Sequence, residues 1–239
     1  MSNPNLSNDF RSQVAAADKS YASADLAAFF SRTYRWMALG LAVTGFVAYF
    51  VAQSPTLVES IVNNRGLFFV LLIAQLGVVF AFSRMVARVS AASAMAMYLG
   101  YAFLNGLTFS VFFLAYSAQS IAQVFFVTAG SFAGLSVYGM VTKRDLSPIG
   151  RFMMMGLIGL IIAWIVSFFF QTPAMLFVMT CAGVLIFAGL TAYDTQKLKE
   201  IYRLQGEAGN LALRGALTLY LDFINLFIYL LRLFGNRRS

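Results

Sequence analysis

LRGALTLYLDFINLFIYLLRLF (Leu213–Phe234) is long and apolar enough to cross a bilayer as one helix, since about 20 such residues suffice. On a helix, Arg214, Thr218, Asp222, Asn225, Tyr229 and Arg232 recur at helical spacing and form one polar stripe, while the other faces are Leu, Ile and Phe. Such a stripe does not face lipid; it packs against partner helices or lines a watery cavity. The bland account is a packing device, with Asp222 and Asn225 hydrogen-bonded to neighbouring helices. The functional account starts from the cost of a carboxylate at bilayer depth, roughly 2.5–3.5 kcal/mol on insertion scales.

Working outward, six more apolar runs precede this one: Tyr34 to Ala52, Gly66 to Phe82, Ala92 to Ala115, Ile121 to Val141, Phe152 to Phe170 and Ala174 to Tyr193. The 239-residue chain is 60% hydrophobic and only 11% charged, with a mean hydropathy of +0.77. Soluble domains are about a quarter charged, so lipid is the natural solvent for this composition. The expected fold is an all-α integral membrane protein of seven transmembrane helices. Residues 1–31 read as a polar cytoplasmic N-terminal tail and 32–239 as the transmembrane domain. The tail has no short apolar core with a cleavage site, so it is not a cleaved signal peptide. Pro4, Pro55, Pro148 and Pro173 all fall outside the proposed spans. Trp36, Tyr34, Tyr98 and Tyr116 fall near proposed interfaces, where amphipathic rings settle.

Charge sets the orientation. Arg84 and Arg88, then Lys143, Arg144 and Arg151, then Lys197, Lys199, Arg203 and Arg214 occupy alternate loops, and the intervening loops are nearly bare. The positive-inside rule puts the basic loops and the N-terminus in the cytoplasm. Seven crossings then place the C-terminus outside, in conflict with its Arg237 and Arg238; a full crossing is favoured over a re-entrant element because the run is long enough. The net charge of +8 reads as topology signalling and contact with anionic headgroups, not as a nucleic-acid platform. With no histidine and one cysteine, Cys181, an internal disulfide and thiolate or imidazole metal sites are excluded, which leaves oxygen ligands and hard cations.

Of nine acidic residues, seven lie in the tail or loops. The remaining two are Asp194, at the inner end of the sixth span, and Asp222, about 12 Å into the seventh counted from Arg214 at 1.5 Å per residue. The two carboxylates are expected to meet in the inner half of the membrane. Carboxylates in contact share a proton, which makes a pH sensor without histidine. Doubly ionised, they form a site for a hard cation such as calcium, with Asn225 or backbone carbonyls adding oxygens and Thr218 and Tyr193 as supporting polar groups. Arg88, or alternatively Arg84, could reach the same level by snorkelling and act as rival counter-ion.

A faint echo links Phe132-Ala-Gly-Leu-Ser-Val-Tyr-Gly139 with Phe187-Ala-Gly-Leu-Thr-Ala-Tyr-Asp194. It fits a duplicated two-helix hairpin, and equally the small-residue composition that packed helices share. Gly189-Leu-Thr-Ala-Tyr-Asp-Thr-Gln-Lys-Leu-Lys199 and Ala216-Leu-Thr-Leu-Tyr-Leu-Asp-Phe-Ile-Asn-Leu-Phe227, with the ending Leu-Leu-Arg-Leu-Phe-Gly235, resemble the signatures of the Bax inhibitor-1, or transmembrane Bax inhibitor motif, family. Asn105-Gly-Leu-Thr108 and Thr142-Lys-Arg-Asp-Leu146 fit its bacterial branch. The resemblance runs from about Tyr34 to Arg238 and leaves the tail uncovered. It implies a seven-helix fold with the last helix central and a calcium leak gated by pH through a di-aspartyl sensor at Asp194 and Asp222. It also implies an arginine at the inner end of the second helix that pairs with the dyad, for which Arg88 is favoured over Arg84.

The leading expectation is therefore a pH-sensitive calcium leak channel, multi-pass in a bacterial inner membrane. The alternative, which the resemblance implies through bacterial members tied to membrane-protease quality control, is a modulator of a membrane protease or another membrane complex, docking through the polar tail; a cation/proton exchanger is the third. No cofactor is expected, calcium being the ion transported or bound. An enzyme is not expected either: there is no zinc motif or nucleophile–base pair, and neither aspartate has the adjacent glycine of an intramembrane aspartyl protease.

Overall fold

In the computed structural model the described residues are 4–237, with side chains described over 24–237 except at positions 55, 65 and 68. The tail charges Asp9, Arg11, Asp18 and Lys19 and the terminal Arg238 and Ser239 lie outside the side chains described. The helices are α1 (Pro4–Ala52), α2 (Pro55–Asn63), α3 (Arg65–Met85), α4 (Ala91–Phe109), α5 (Phe112–Ala115), α6 (Ala118–Val141), α7 (Ser147–Ser167), α8 (Pro173–Gln205) and α9 (Leu211–Phe234). Six stretches are long and apolar enough to cross a membrane, with α4 and α5 together forming one of them; α3 adds a shorter apolar helix, Phe69–Met85. The protein is thus an all-helical, seven-helix membrane bundle.

Its boundaries differ from the expected spans in ways that have physical causes. The third span is interrupted: Ser110 Oγ donates to the Leu107 carbonyl (2.7 Å), and the chain turns at Ser110–Val111 before α5. The first loop folds into the additional helix α2. Pro55, Pro148 and Pro173 stand in the first turns of α2, α7 and α8, where a missing N–H costs nothing. At the first boundary, α1 runs unbroken through position 31. Phe29 and Phe30 are buried in the core, so the packed bundle begins ahead of Arg32.

α9 is the centre of the bundle. Sixty-one per cent of its span is buried, against 11–39% for the other five long spans. Its Tyr220 is fully buried and shares a 2.6 Å hydrogen bond with Thr44 of α1, whose hydroxyl also donates to the Ala102 carbonyl (2.9 Å). Tyr98 and Tyr101 of α4 meet the Tyr220 ring edge-on, with centroids 6.1 and 5.8 Å away. Phe132 of α6 packs on Phe223 and Phe187 of α8 stacks on Tyr229, so the two echoing segments present equivalent phenylalanines to α9 from two sides. Large apolar side chains such as Phe46, Phe126, Phe152 and Leu185 are exposed around the outside, as lipid contact requires.

The interface assignment is corrected for Tyr98, which is fully buried and donates to the Trp36 carbonyl (2.9 Å) instead of anchoring in headgroups. Tyr116 lies at one end of the bundle as expected, with its ring buried. Tyr34 is also drawn inward, sharing a 2.5 Å hydrogen bond with Ser136, which in turn contacts Thr195 at 2.9 Å. The Tyr98 and Tyr34 hydroxyls find partners on facing helices, as buried tyrosine hydroxyls usually do.

The basic loops gather at one end of the bundle and are tied to one another there. Gln196 grips the α6–α7 loop from both sides: its Oε1 accepts from Leu146 N–H and its Nε2 donates to the Arg144 carbonyl, each at 2.8 Å. Lys199 Nζ donates to the Met140 carbonyl, and Asn210 Nδ2 to the carbonyls of Val86 and Val89. Arg32 makes a bidentate ion pair with Glu207. From this end α9 runs about 36 Å at 1.5 Å per residue to the opposite one. There Asn236 N–H donates to Ser120 Oγ (2.9 Å) and Arg237 bridges to Tyr116. The last helix is a full crossing.

Candidate functional site

Helix α8 is held close to its neighbours by glycines. A Cβ at Gly183 would sit 2.5 Å from the Tyr229 ring of α9, and one at Gly139 of α6 would collide with the Ala192 carbonyl oxygen. The second contact explains the echo's one difference in chemistry. At position 139 the two helices approach backbone to backbone, leaving no room for a carboxylate; Asp194 occupies the equivalent position of α8, facing a groove shared with α7 and α9.

There Asp194 and Asp222 come within hydrogen-bonding reach of one another. Asp194 is half-buried and Asp222 is 5% exposed. Two carboxylates are acceptors only, so Asp222 Oδ2 is left buried without a donor. One proton held between the pair would supply it.

The pair lies in a groove of about 380 Å³, floored by α8 and walled by α7 and α9. Thr218, Asp222, Asn225 and Tyr229 of the expected stripe all line it. Asn225 Nδ2 donates to the Leu221 carbonyl (2.7 Å), which leaves Oδ1 for the groove; Thr218 Oγ1 donates to the Arg214 carbonyl (3.1 Å) and keeps its lone pairs. Trp164 of α7 closes one end, donating from Nε1 to Tyr229 Oη at 3.1 Å, and the Arg232 guanidinium lies 4.4 Å from the indole centre. The remaining α7 wall is apolar, with Met154, Leu157 and Ile161. The polar atoms available are thus oxygens, the ligand class of hard cations. Among the described residues no group of three or more Asp, Glu, Cys or His side chains forms a denser cage.

Other expected participants lie elsewhere. Tyr193 is one residue from Asp194 and so turned away from the groove; its ring packs over Gly150 and under Lys197, whose Nζ is 5.5 Å from the ring centre. The arginine expected beside the dyad is absent from this arrangement. Arg84 and Arg88 are exposed at the end of α3 and line no part of the groove, since nothing draws a guanidinium away from water there. The cation whose field reaches Asp194 is Lys197, three residues along the same helix. The sequence carried that spacing openly. The Gln196 clamp and the Tyr34–Ser136–Thr195 chain had no such signal, because both depend on which helices become neighbours.

Comparison with known proteins identifies the family. Residues 26–239 match the family described as Inhibitor of apoptosis-promoting Bax1. The chain is 45% identical over 220 residues to Inner membrane protein YbhL of Escherichia coli K12, covering 90% of this chain and 94% of that one. It is 46% identical over 215 residues to a protein of Deinococcus radiodurans (88% and 91% covered) and 39% identical over 215 residues to one of Borreliella burgdorferi (88% and 93%). Carrying both aspartate motifs in a seven-helix bundle built around its last helix, the chain belongs to the Bax inhibitor-1 family of membrane proteins.

Proposed function

We propose that the protein is a pH-sensitive calcium leak of a bacterial inner membrane, in which Asp194 and Asp222 bind either a shared proton or the passing cation. The observation that carries this reading is the contact between two carboxylates inside the bundle, in a groove whose other available polar atoms are oxygens. Proton and calcium compete for the same lone pairs, so occupancy by one excludes the other. Family membership and the inner-membrane name of the Escherichia coli relative support the location. The basic end, with Arg84, Arg88, Lys143, Arg144 and Arg203, faces the cytoplasm by the positive-inside rule, and the N-terminus with it.

The test is calcium flux into liposomes that hold the purified protein and an enclosed indicator. Wild-type flux should depend on pH, and Asp222→Asn should flatten that dependence. An unaltered flux and pH profile in Asp222→Asn would falsify the reading. An imposed proton gradient without a calcium gradient should drive no flux; if it does, the protein is an exchanger.

A further inference from the structure

At the end of the bundle opposite the basic loops lies a second cavity, of about 530 Å³, which the aspartate pair does not explain. Arg232 and Arg237 both line it, with Trp164, Tyr116, Gln171 and Thr180, and no acidic side chain does. Among the described residues, neither guanidinium makes a hydrogen bond or an ion pair. The Arg232 guanidinium carbon lies 4.4 Å from the Trp164 ring centre and 5.8 Å from that of Tyr229. These cation–π contacts hold the guanidinium at the cavity without using up its N–H donors. Pro173, the first residue of α8, also lines the cavity, so the positive end of that helix's dipole adds to the field.

A bland account covers only part of this. A cation in the last turn of α9 complements that helix's carbonyl end, which suits Arg232. It does not account for Arg237, beyond the helix and held over the cavity by its bridge to Tyr116 and the Asn236–Ser120 hydrogen bond. Nor does it account for two unpaired arginines on the face where the positive-inside rule disfavours them.

The geometry points to a site for a phosphate group, supplied by an anionic phospholipid. Paired guanidiniums match phosphate oxygens with fork geometry. The cavity lies at the bilayer edge, because Phe168, Phe169 and Phe170 beside it are 81%, 79% and 74% exposed. Its apolar side, with Leu176, Leu233 and the outward-facing Phe177, leads into lipid and suits an acyl chain. A headgroup seated here ties α7, α8 and α9 together at one end.

The test uses full-length protein, delipidated in detergent, with native mass spectrometry and thermal melting. Phosphatidylglycerol, phosphatidylcholine and inorganic phosphate are added separately. Phosphatidylglycerol should remain bound and raise the melting temperature of wild type, with at least tenfold weaker binding in Arg232→Gln and Arg237→Gln and partial recovery in Arg232→Lys. Arg237 lies outside any helix, so Arg237→Gln keeps the test open should Arg232→Gln fail to fold. Equal, arginine-dependent protection by inorganic phosphate would keep the phosphate site and overturn the lipid as its source. Equal phosphatidylglycerol binding by wild type and Arg237→Gln overturns the site.

Discussion

Asparagine is the sharpest replacement for Asp222, because it keeps the carboxyl's shape and supplies a donor but cannot ionise. In Asp222→Asn the amide can donate to Asp194, so the unsatisfied buried oxygen disappears. The variant is expected to fold and, at alkaline pH, to unfold in detergent at or above the wild-type temperature, since an unsatisfied buried polar atom costs about 1–3 kcal/mol. Gly139→Ala should do the opposite. The added methyl meets a backbone carbonyl that cannot rotate away, and overpacking of this kind costs about 1–3 kcal/mol; thermal melting reads the loss. At this scale the sequence was informative where a residue broke its surroundings. Asp194 and Asp222 stand out in apolar runs, and the stripe's period told which way Thr218 and Asn225 point. Tyr193 was misplaced because adjacency in sequence is a rotation of 100° on a helix. Arg84 and Arg88 were misplaced because the direction in which a long side chain snorkels is set by what lies around it.

α7 offers the clearest case among the elements, being the least buried of the long spans yet the one that walls the groove. Its start is fixed from outside by the Gln196 amide. Gln196→Ala leaves the buried Leu146 N–H without its acceptor, a loss of about 1–3 kcal/mol. It should also expose Lys143 and Arg144 to faster trypsin cleavage in membranes open at the basic end. Asp145 adds a smaller hold, accepting from Ser147 N–H at 2.8 Å. That hydrogen bond keeps its carboxylate below the ordinary aspartate value of 3.8. A depressed native value means the contribution is present above about pH 4 and fades as pH falls through the native value. The melting temperatures of wild type and Asp145→Asn should therefore differ at neutral pH and converge in acid. The spans themselves were legible because twenty apolar residues leave little choice of structure. α2, with nine residues, falls below the length at which hydropathy speaks, and the break after α4 rests on one serine bonding back to its own helix.

For the molecule as a whole, the arrangement fixes which chain segments share a side. Cys181 is the one native thiol. In a Cys181→Ser background, Arg203→Cys and Asn236→Cys place single thiols at opposite ends. An impermeant maleimide applied to intact cells should label Asn236→Cys and reach Arg203→Cys only after lysis; the reverse pattern inverts the orientation, and labelling of both or neither removes the full crossing of α9. The side of the C-terminus was undecided in the sequence because charge statistics and segment length pulled in opposite directions. Packing resolves the path of the chain: a helix with 61% of its span buried runs through the bundle's whole depth.

Trp164 borders both the aspartate groove and the arginine cavity, under the Arg232 guanidinium and against the Tyr229 hydroxyl. It is one of only two indoles in the chain, the other being Trp36. With Trp36→Phe, the protein becomes its own optical reporter: emission colour and intensity would follow the wall between the two chambers with no dye attached.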